Sequence, residues 1–241
     1  MQYRGILFDK DGTLLDFNRT WLPIYRHAAR EFAGDNPQLA EALLTEHGFD
    51  AVRNRFIGGS LLAAGNNRQI AEAWAVQLEL TEQVAQISER LNHVFSELGT
   101  QSAAVTGLAP TLATLREAGL HLGVATADSQ QGIHNTLQAF DVLDHFAFLA
   151  GYDSGHGIKP EAGMVLAFCA HTGLDCHEVV VVGDNRHDIE MGRNAQAGLC
   201  VGVLTGTSER DELEAIADVV FDDIRALPAY LASLSTGSSP G

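Results

Sequence analysis

The sequence predicts an α/β protein: a doubly wound parallel sheet whose first strand is followed by an inserted all-helical domain. Three observations predict it. A short apolar run, Ile6-Leu7-Phe8, stops at the turn residues Asp9-Lys10-Asp11-Gly12. From about Asn18 to Leu98, apolar residues recur only at helical spacing, with no strand alternation. After Gly99, strand-like and helix-like segments alternate, as they do where helices cover both faces of a parallel sheet.

Each element has its own signal. In the helical stretch Trp21, Ile24, Tyr25 and Ala28 share a face, as do Leu39, Ala42 and Leu43, and later Val84, Ile87, Leu91, Val94 and Phe95. Trp21 and Trp74 are expected in the core of that domain. A helix over Pro110 to Ala118 is closed by Gly119, and Leu120 to Ala125 reads as a strand. Ser129 is a good cap for a helix through Ala139. Phe146 to Leu149 is the next expected strand, and Glu161 to Thr172 a helix stopped by Gly173. Val179 to Val182 is a fully buried strand, with a helix over Asp188 to Ala195 behind it. Leu199 to Leu204, a helix near Glu209 to Ile216, Val219 to Phe221 and a last helix complete the alternation. The expected division is therefore 1–16 with 99–234 as the α/β core, 17–98 as a helical cap, and 235–241 as a disordered tail.

Bulk properties narrow the function. The 241 residues are 46% hydrophobic, enough to bury a real core. A formal charge of -16 repels nucleic acid and anionic membrane surfaces, so neither is an expected partner. The same charge would repel an anionic substrate, unless local cations outweigh a global field that salt screens within about 8 Å. Cys169, Cys176 and Cys200 form an odd, widely spaced set, with neither a disulfide framework nor zinc spacing. With no signal-like N-terminus and no apolar run near roughly 18 residues, the expectation is a cytoplasmic protein, monomeric or homodimeric.

In doubly wound sheets, ligands sit beyond the carboxyl ends of the strands. Those ends carry Asp9-Lys10-Asp11-Gly12-Thr13, then Thr126-Ala127-Asp128-Ser129, then Lys159 after Gly155-His156-Gly157-Ile158, and finally Gly183-Asp184-Asn185-Arg186-His187-Asp188. Singly, each has a structural reading: a tight turn, a strand-end hydroxyl, a solvated lysine, a helix start. A calcium loop is excluded at Asp9, because placing Gly12 at its fixed glycine would make Leu7 the first ligand and Asn18 the last. It is the gathering of all four segments at one rim that points to chemistry. Magnesium prefers oxygen ligands, usually one or two carboxylates with substrate phosphate, and Asp9 and Asp184 would supply them. With that cation and Lys159 neutralising charge, the Asp9 carboxylate could attack phosphorus, splitting one hard hydrolysis into two easier steps. Asp11 would protonate the leaving oxygen and later activate water. Thr126 would hydrogen-bond a phosphoryl oxygen, the backbone N–H groups after Asp9 would form an anion nest, and Asp188, one turn from Asp184, would orient metal-bound water.

These segments resemble the haloacid dehalogenase (HAD) superfamily, whose signature is Asp-x-Asp-Gly-Thr, a strand-end Thr or Ser, a Lys, and Gly-Asp-x-x-x-Asp. Here it reads Asp9/Asp11/Gly12/Thr13, Thr126, Lys159 and Gly183/Asp184/Asp188. The likeness is greatest to the phosphoglycolate-phosphatase-like branch, with its Rossmann-like core and helical cap, and spans Ile6 to about Leu234. It implies an Mg2+-dependent phosphatase acting on a small phosphorylated metabolite through an aspartyl-phosphate. Asp9 is then the nucleophile and Asp11 the acid/base. The metal falls to the carboxylates of Asp9 and Asp184 and the carbonyl of Asp11, with Asp188 beside them. Thr126 and Lys159 bind the phosphoryl group; Gly12, Thr13, Ala127 and Arg55 are the further substrate-binding candidates. Arg55 lies in Val52–Ser60, which is similar to a cap loop of that branch, and a guanidinium suits bidentate binding of an anion. Two departures bear on the pocket: Ala127-Asp128 follows Thr126 where many relatives carry Asn, and Gly155 to Ile158 is unusually glycine-rich. Two rival functions share the scaffold. A phosphosugar mutase would need a cap histidine or lysine to handle a sugar hydroxyl; His27, His47 and His93 are present, but none sits in a recognisable position. A non-catalytic binding module would have no use for the intact acidic set.

Overall fold

A computed structural model describes residues 2–65, 67–98 and 102–236. Of the expected tail, Ser235 and Thr236 belong instead to the last helix, and residues 237–241 lie outside the described residues. The chain divides into two compact units, Met1–Asp16 with Ala104–Gly241, and Phe17–Ala103. It opens with strand β1 (Gly5–Phe8) and enters the second unit through α1 (Phe17–Ala33), α2 (Pro37–Thr45), β2 (Phe49–Asp50) and β3 (Arg55–Phe56). That unit continues with α3 (Leu61–Ala64), α4 (Asn67–Gln77) and α5 (Val84–Leu98). The first unit resumes with α6 (Leu108–Glu117), β4 (His121–Ala125), α7 (Gln130–Ala139), β5 (Phe148–Ala150), α8 (Gly163–Thr172) and β6 (Val179–Gly183). It closes with α9 (Arg186–Asn194), β7 (Leu199–Val203), α10 (Arg210–Glu214), β8 (Val219–Phe221) and α11 (Leu227–Thr236).

In the first unit six parallel strands lie in the order β5-β4-β1-β6-β7-β8. The period of two along each strand explains its apolar runs. Ile6, Phe8, Val180 and Val182 face a layer containing Leu112 of α6, Ile133 of α7 and Leu227 of α11. Leu7, Val179 and Val181 face the opposite layer, with Phe168 of α8 and Met191 of α9. Both faces are buried, so every residue of β6 must be apolar or small. The helix ends follow local chemistry: Ser129 Oγ accepts the N–H of Gly132, and α8 stops at Gly173 in the left-handed region.

Two expectations about elements need correction. The strand expected over Phe146 to Leu149 is Phe148–Ala150, because Phe146 caps the 3-10 turn at Leu143–His145, its N–H donating to Leu143 O. The second unit is also not wholly helical, since β2 and β3 pair antiparallel with Phe49 opposite Phe56 and Asp50 opposite Arg55. Asp50 Oδ1 accepts the N–H groups of Val52 and Arg53, and Asn54 turns the chain at φ 52°. Strands of two residues carry no readable alternation. The unit's core is aromatic: Phe56 packs on Phe17, Tyr25 and Phe49, Trp21 on Tyr25 and Phe95, and Trp74 is fully buried. Among the described residues, no helix is long and apolar enough to cross a membrane.

Candidate active site

The strand order creates the site. From β1 the chain builds outward through β4 and β5, then returns to β6 on the other side of β1, so a crevice opens between the carboxyl ends of β1 and β6. Phe8 is in register with Val182, and the N–H of Asp9 donates to Val182 O at 2.8 Å. Asp9 and Asp184, each the first residue past its strand, are thereby brought together. One oxygen from each of Asp9, Asp184 and Asp188 lies within 4.8 Å of the others, and all three residues are buried. Lys159 joins them, its Nζ donating to Asp9 Oδ1 at 2.5 Å and Asp188 Oδ1 at 2.6 Å.

Asp184 and Asp188 meet by a different route from the one-turn spacing on a single helix face. Asp184 precedes α9, and its cap is Asn185, whose N–H donates to Asp188 Oδ2 at 3.2 Å while its own Oδ1 accepts the N–H of His187. Asp188 therefore points back towards the strand end. Asp184 is held from the far side as well. Its Oδ2 accepts the N–H of Thr207 at 3.1 Å, and Thr205 Oγ1 donates to Gly12 O at 2.6 Å. Gly12 and Gly206 leave room for it: a Cβ on Gly206 would lie 1.7 Å from Asp184 Oδ2, and one on Gly12 would lie 2.6 Å from the Asp184 carboxyl carbon.

Asp11 stands apart from this cluster. Its carboxylate is 2.7 Å from Lys10 Nζ, and Lys10, itself buried, also reaches Asp128 at 3.1 Å. Thr126 is buried at the end of β4, with its Oγ1 accepting the N–H of Asp128 at 3.2 Å. Ala127 beside it is exposed. The N–H groups of Gly12 and Thr13, expected to cradle an anion, donate instead to Leu15 O at 2.8 Å and Lys10 O at 3.4 Å. Thr13 contributes a buried Oγ1 without a hydrogen-bond partner. Arg55 lies in the other unit, half-buried on β3 opposite Asp50.

Lys10 and the Thr205-Gly206-Thr207 loop are the parts that the sequence reading missed. Lys10 carries no signal of its own in the sequence, because it lies between two aspartates whose spacing points to chemistry. The loop follows β7, a fifth strand end beside β6, so the rule that located the other four segments applied to it too.

Charge in the cluster is out of balance, because three buried carboxylates face one ammonium. Burial pushes the Asp9 carboxyl up to about 7, and Asp188 and Asp11 push the same way against the lowering effect of Lys159. Asp184 is raised well above the usual carboxylate range by burial, then by Asp188 and Asp9, although the Thr207 N–H and Lys159 oppose this. Burial alone would lower Lys159, but Asp188 and Asp9 outweigh it and keep the ammonium charged. Asp9 Oδ2 and Asp184 Oδ1 are buried without a hydrogen-bond partner. Orphaned carboxylate oxygens in an all-oxygen cluster fit a hard divalent cation.

Comparison with known proteins gives the family. The sequence model of the haloacid dehalogenase-like hydrolases matches residues 3–196. The chain belongs to that family. This hydrolase is 30% identical over 232 residues to a phosphoglycolate phosphatase of Agrobacterium fabrum, covering 95% of this chain and 92% of the relative. It is 29% identical over 195 residues to an N-acetylmuramic acid 6-phosphate phosphatase of Pseudomonas putida, covering 81% of this chain and 80% of the relative. Its fold matches the crystal structure of a predicted phosphoglycolate phosphatase of Haemophilus somnus, with a TM-score of 0.75 at 20% identity, over 96% of this chain and 99% of that one. Phosphatases of the family generally use a divalent metal, and in this hydrolase the Asp9, Asp184 and Asp188 cluster fits one.

Proposed function

We propose that this hydrolase is a Mg2+-dependent phosphatase of small phosphomonoesters, acting through a phosphoenzyme on Asp9. One observation carries the reading: at the switch point of the sheet, the orphaned oxygens of Asp9 and Asp184 lie in a cluster with Asp188, and the Asp9 and Asp188 carboxylates both pair with Lys159. A bound divalent cation would offset the negative charge of the carboxylates and phosphoryl oxygens. Asp9 and Asp184 would hold it, with Asp188 and the backbone carbonyl of Asp11 beside them. Lys159 and the hydroxyl of Thr126 bind the phosphoryl oxygens, and Thr13 Oγ1 has hydrogen-bonding capacity to spare. An Asp9 oxygen attacks phosphorus as the bond to the ester oxygen breaks, and Asp11 delivers a proton to that oxygen. Asp11 then takes a proton from water, which attacks phosphorus, frees inorganic phosphate and restores Asp9. The Lys10 ammonium lies 2.7 Å from the Asp11 carboxylate.

The relatives' names guide the substrate: phosphoglycolate or a sugar phosphate such as N-acetylmuramic acid 6-phosphate. Arg55 is the candidate from the helical unit for gripping a substrate anion. The mutase reading has little support. His27 pairs with Glu31, His47 Nδ1 contacts Leu43 O, and His93 pairs with Glu97, each within its own helical neighbourhood.

The deciding experiment is Asp9→Asn, assayed for phosphate release on a phosphomonoester panel with Mg2+. Loss of a covalent nucleophile lowers turnover on the order of 10⁶-fold, and circular dichroism should remain that of the parent. A folded variant that turns over like the parent rejects the nucleophile assignment. EDTA should abolish activity and Mg2+ restore it; EDTA-resistant hydrolysis rejects the metal assignment.

A further inference from the structure

The cysteines form a pair that their spacing in sequence does not suggest. α8 carries Cys169, the chain turns back at Gly173, and Cys176 opens the 3-10 turn leading into β6. The two Sγ atoms stand 3.3 Å apart. Cys169 is buried on the Phe168 side of the sheet, whereas Cys176 is half-buried. Cys200 is buried in β7 against Ile189 and Leu213, a separate cluster. A dithiol in contact, with one cysteine half-buried and one buried, is the arrangement of an attacking and a resolving thiol.

We infer that Cys169 and Cys176 form a reversible redox site, oxidised to an intramolecular disulfide by a hydroperoxide. The Cys176 thiolate attacks one peroxide oxygen, forming a sulfenic acid; the O–O bond breaks and the departing oxygen leaves as water or an alcohol, carrying the proton lost by the thiol. Cys169 sulfur then attacks Cys176 sulfur, forming the S–S bond and breaking S–O. The hydroxide so released takes the Cys169 proton and leaves as water. Two thiols are oxidised by two electrons and one peroxide is reduced. Burial and the neighbouring Cys176 push the Cys169 thiol up to about 12, which makes Cys169 a poor first attacker and leaves that task to Cys176. The pair lies before the first residue of β6, whereas Asp184 follows its last, so the bond forms at the rim opposite the acidic cluster.

The test uses the full chain treated with hydrogen peroxide, blocked with N-ethylmaleimide in denaturant, and mapped by mass spectrometry. Cleavage before Asp175 separates the two cysteines, so a disulfide appears as two linked peptides that dithiothreitol releases. The expected result is that one of the three cysteines, Cys200, remains alkylatable, while phosphatase turnover is unchanged. In Cys176→Ser, Cys169 should stay a thiol at the same peroxide dose, and in Cys200→Ser the link should form as in the parent. Sulfinic acid on Cys176 beside a free Cys169, links between two chains through Cys176, or equal oxidation of all three thiols would each overturn the inference. The wild-type peptide map decides this even if a variant fails to fold.

Discussion

Gly206 has no side chain, and Asp184 occupies the space one would fill. A methyl group there would lie 1.7 Å from Asp184 Oδ2, so Gly206→Ala must displace either the carboxylate or the loop that donates the Thr207 N–H. Partners that orient a metal ligand are worth roughly 10- to 100-fold in affinity. We expect Mg2+ affinity, measured by calorimetric titration, to fall by about that factor in a variant whose fold is intact by circular dichroism. Unchanged affinity would mean that Asp184 does not need this backing. At this scale the sequence reveals residue types better than their partners. Asp9, Lys159, Asp184 and Asp188 were legible because strand ends converge, and the structure brings those four together. That Asp11 turns to Lys10 rather than to the other carboxylates depends on rotamers and burial, which spacing does not encode.

Secondary-structure elements were legible wherever packing imposes a period. β6 reads as a strand because both of its faces are buried, and α8 as a helix because Gly173 stops it. The hairpin of β2 and β3 was illegible because only four residues form it, a single two-residue repeat on each strand. Its stability comes from burial: Phe56 is fully buried against the rings of Phe17, Tyr25 and Phe49, and its N–H donates to Asn18 Oδ1 at 2.8 Å. Phe56→Ala should therefore destabilise the helical unit by about 3–5 kcal/mol, the range for emptying a packed aromatic site. Urea denaturation followed by tryptophan fluorescence would measure it, since Trp21 and Trp74 both belong to that unit. A loss below about 1 kcal/mol would place the residue outside the unit's folding core.

The whole chain carries a charge of -16, and one buried cluster of like charge ties its stability to pH. Asp9 titrates near 3.8 when unfolded and near 7 when folded without metal, and Asp184 is shifted in the same direction. Between these values the folded state holds a proton that the unfolded chain has released. Stability rises with pH only where the unfolded state binds more protons, so here it must fall as pH rises from about 4 to about 7. Below that window both states are protonated at Asp9; above it the full cost of the buried, ionised Asp9 carboxylate is felt. A divalent cation binds the deprotonated cluster and reverses the cost, adding about 2.7 kcal/mol at a hundredfold excess over its dissociation constant. Metal-free protein should therefore lose Tm between about pH 4 and about pH 7, Mg2+ should restore it most at the alkaline end, and Asp9→Asn should flatten the metal-free slope. A metal-free Tm that climbs across the same interval would show that Lys159 alone balances the cluster, and the case for a bound cation would lose its electrostatic basis.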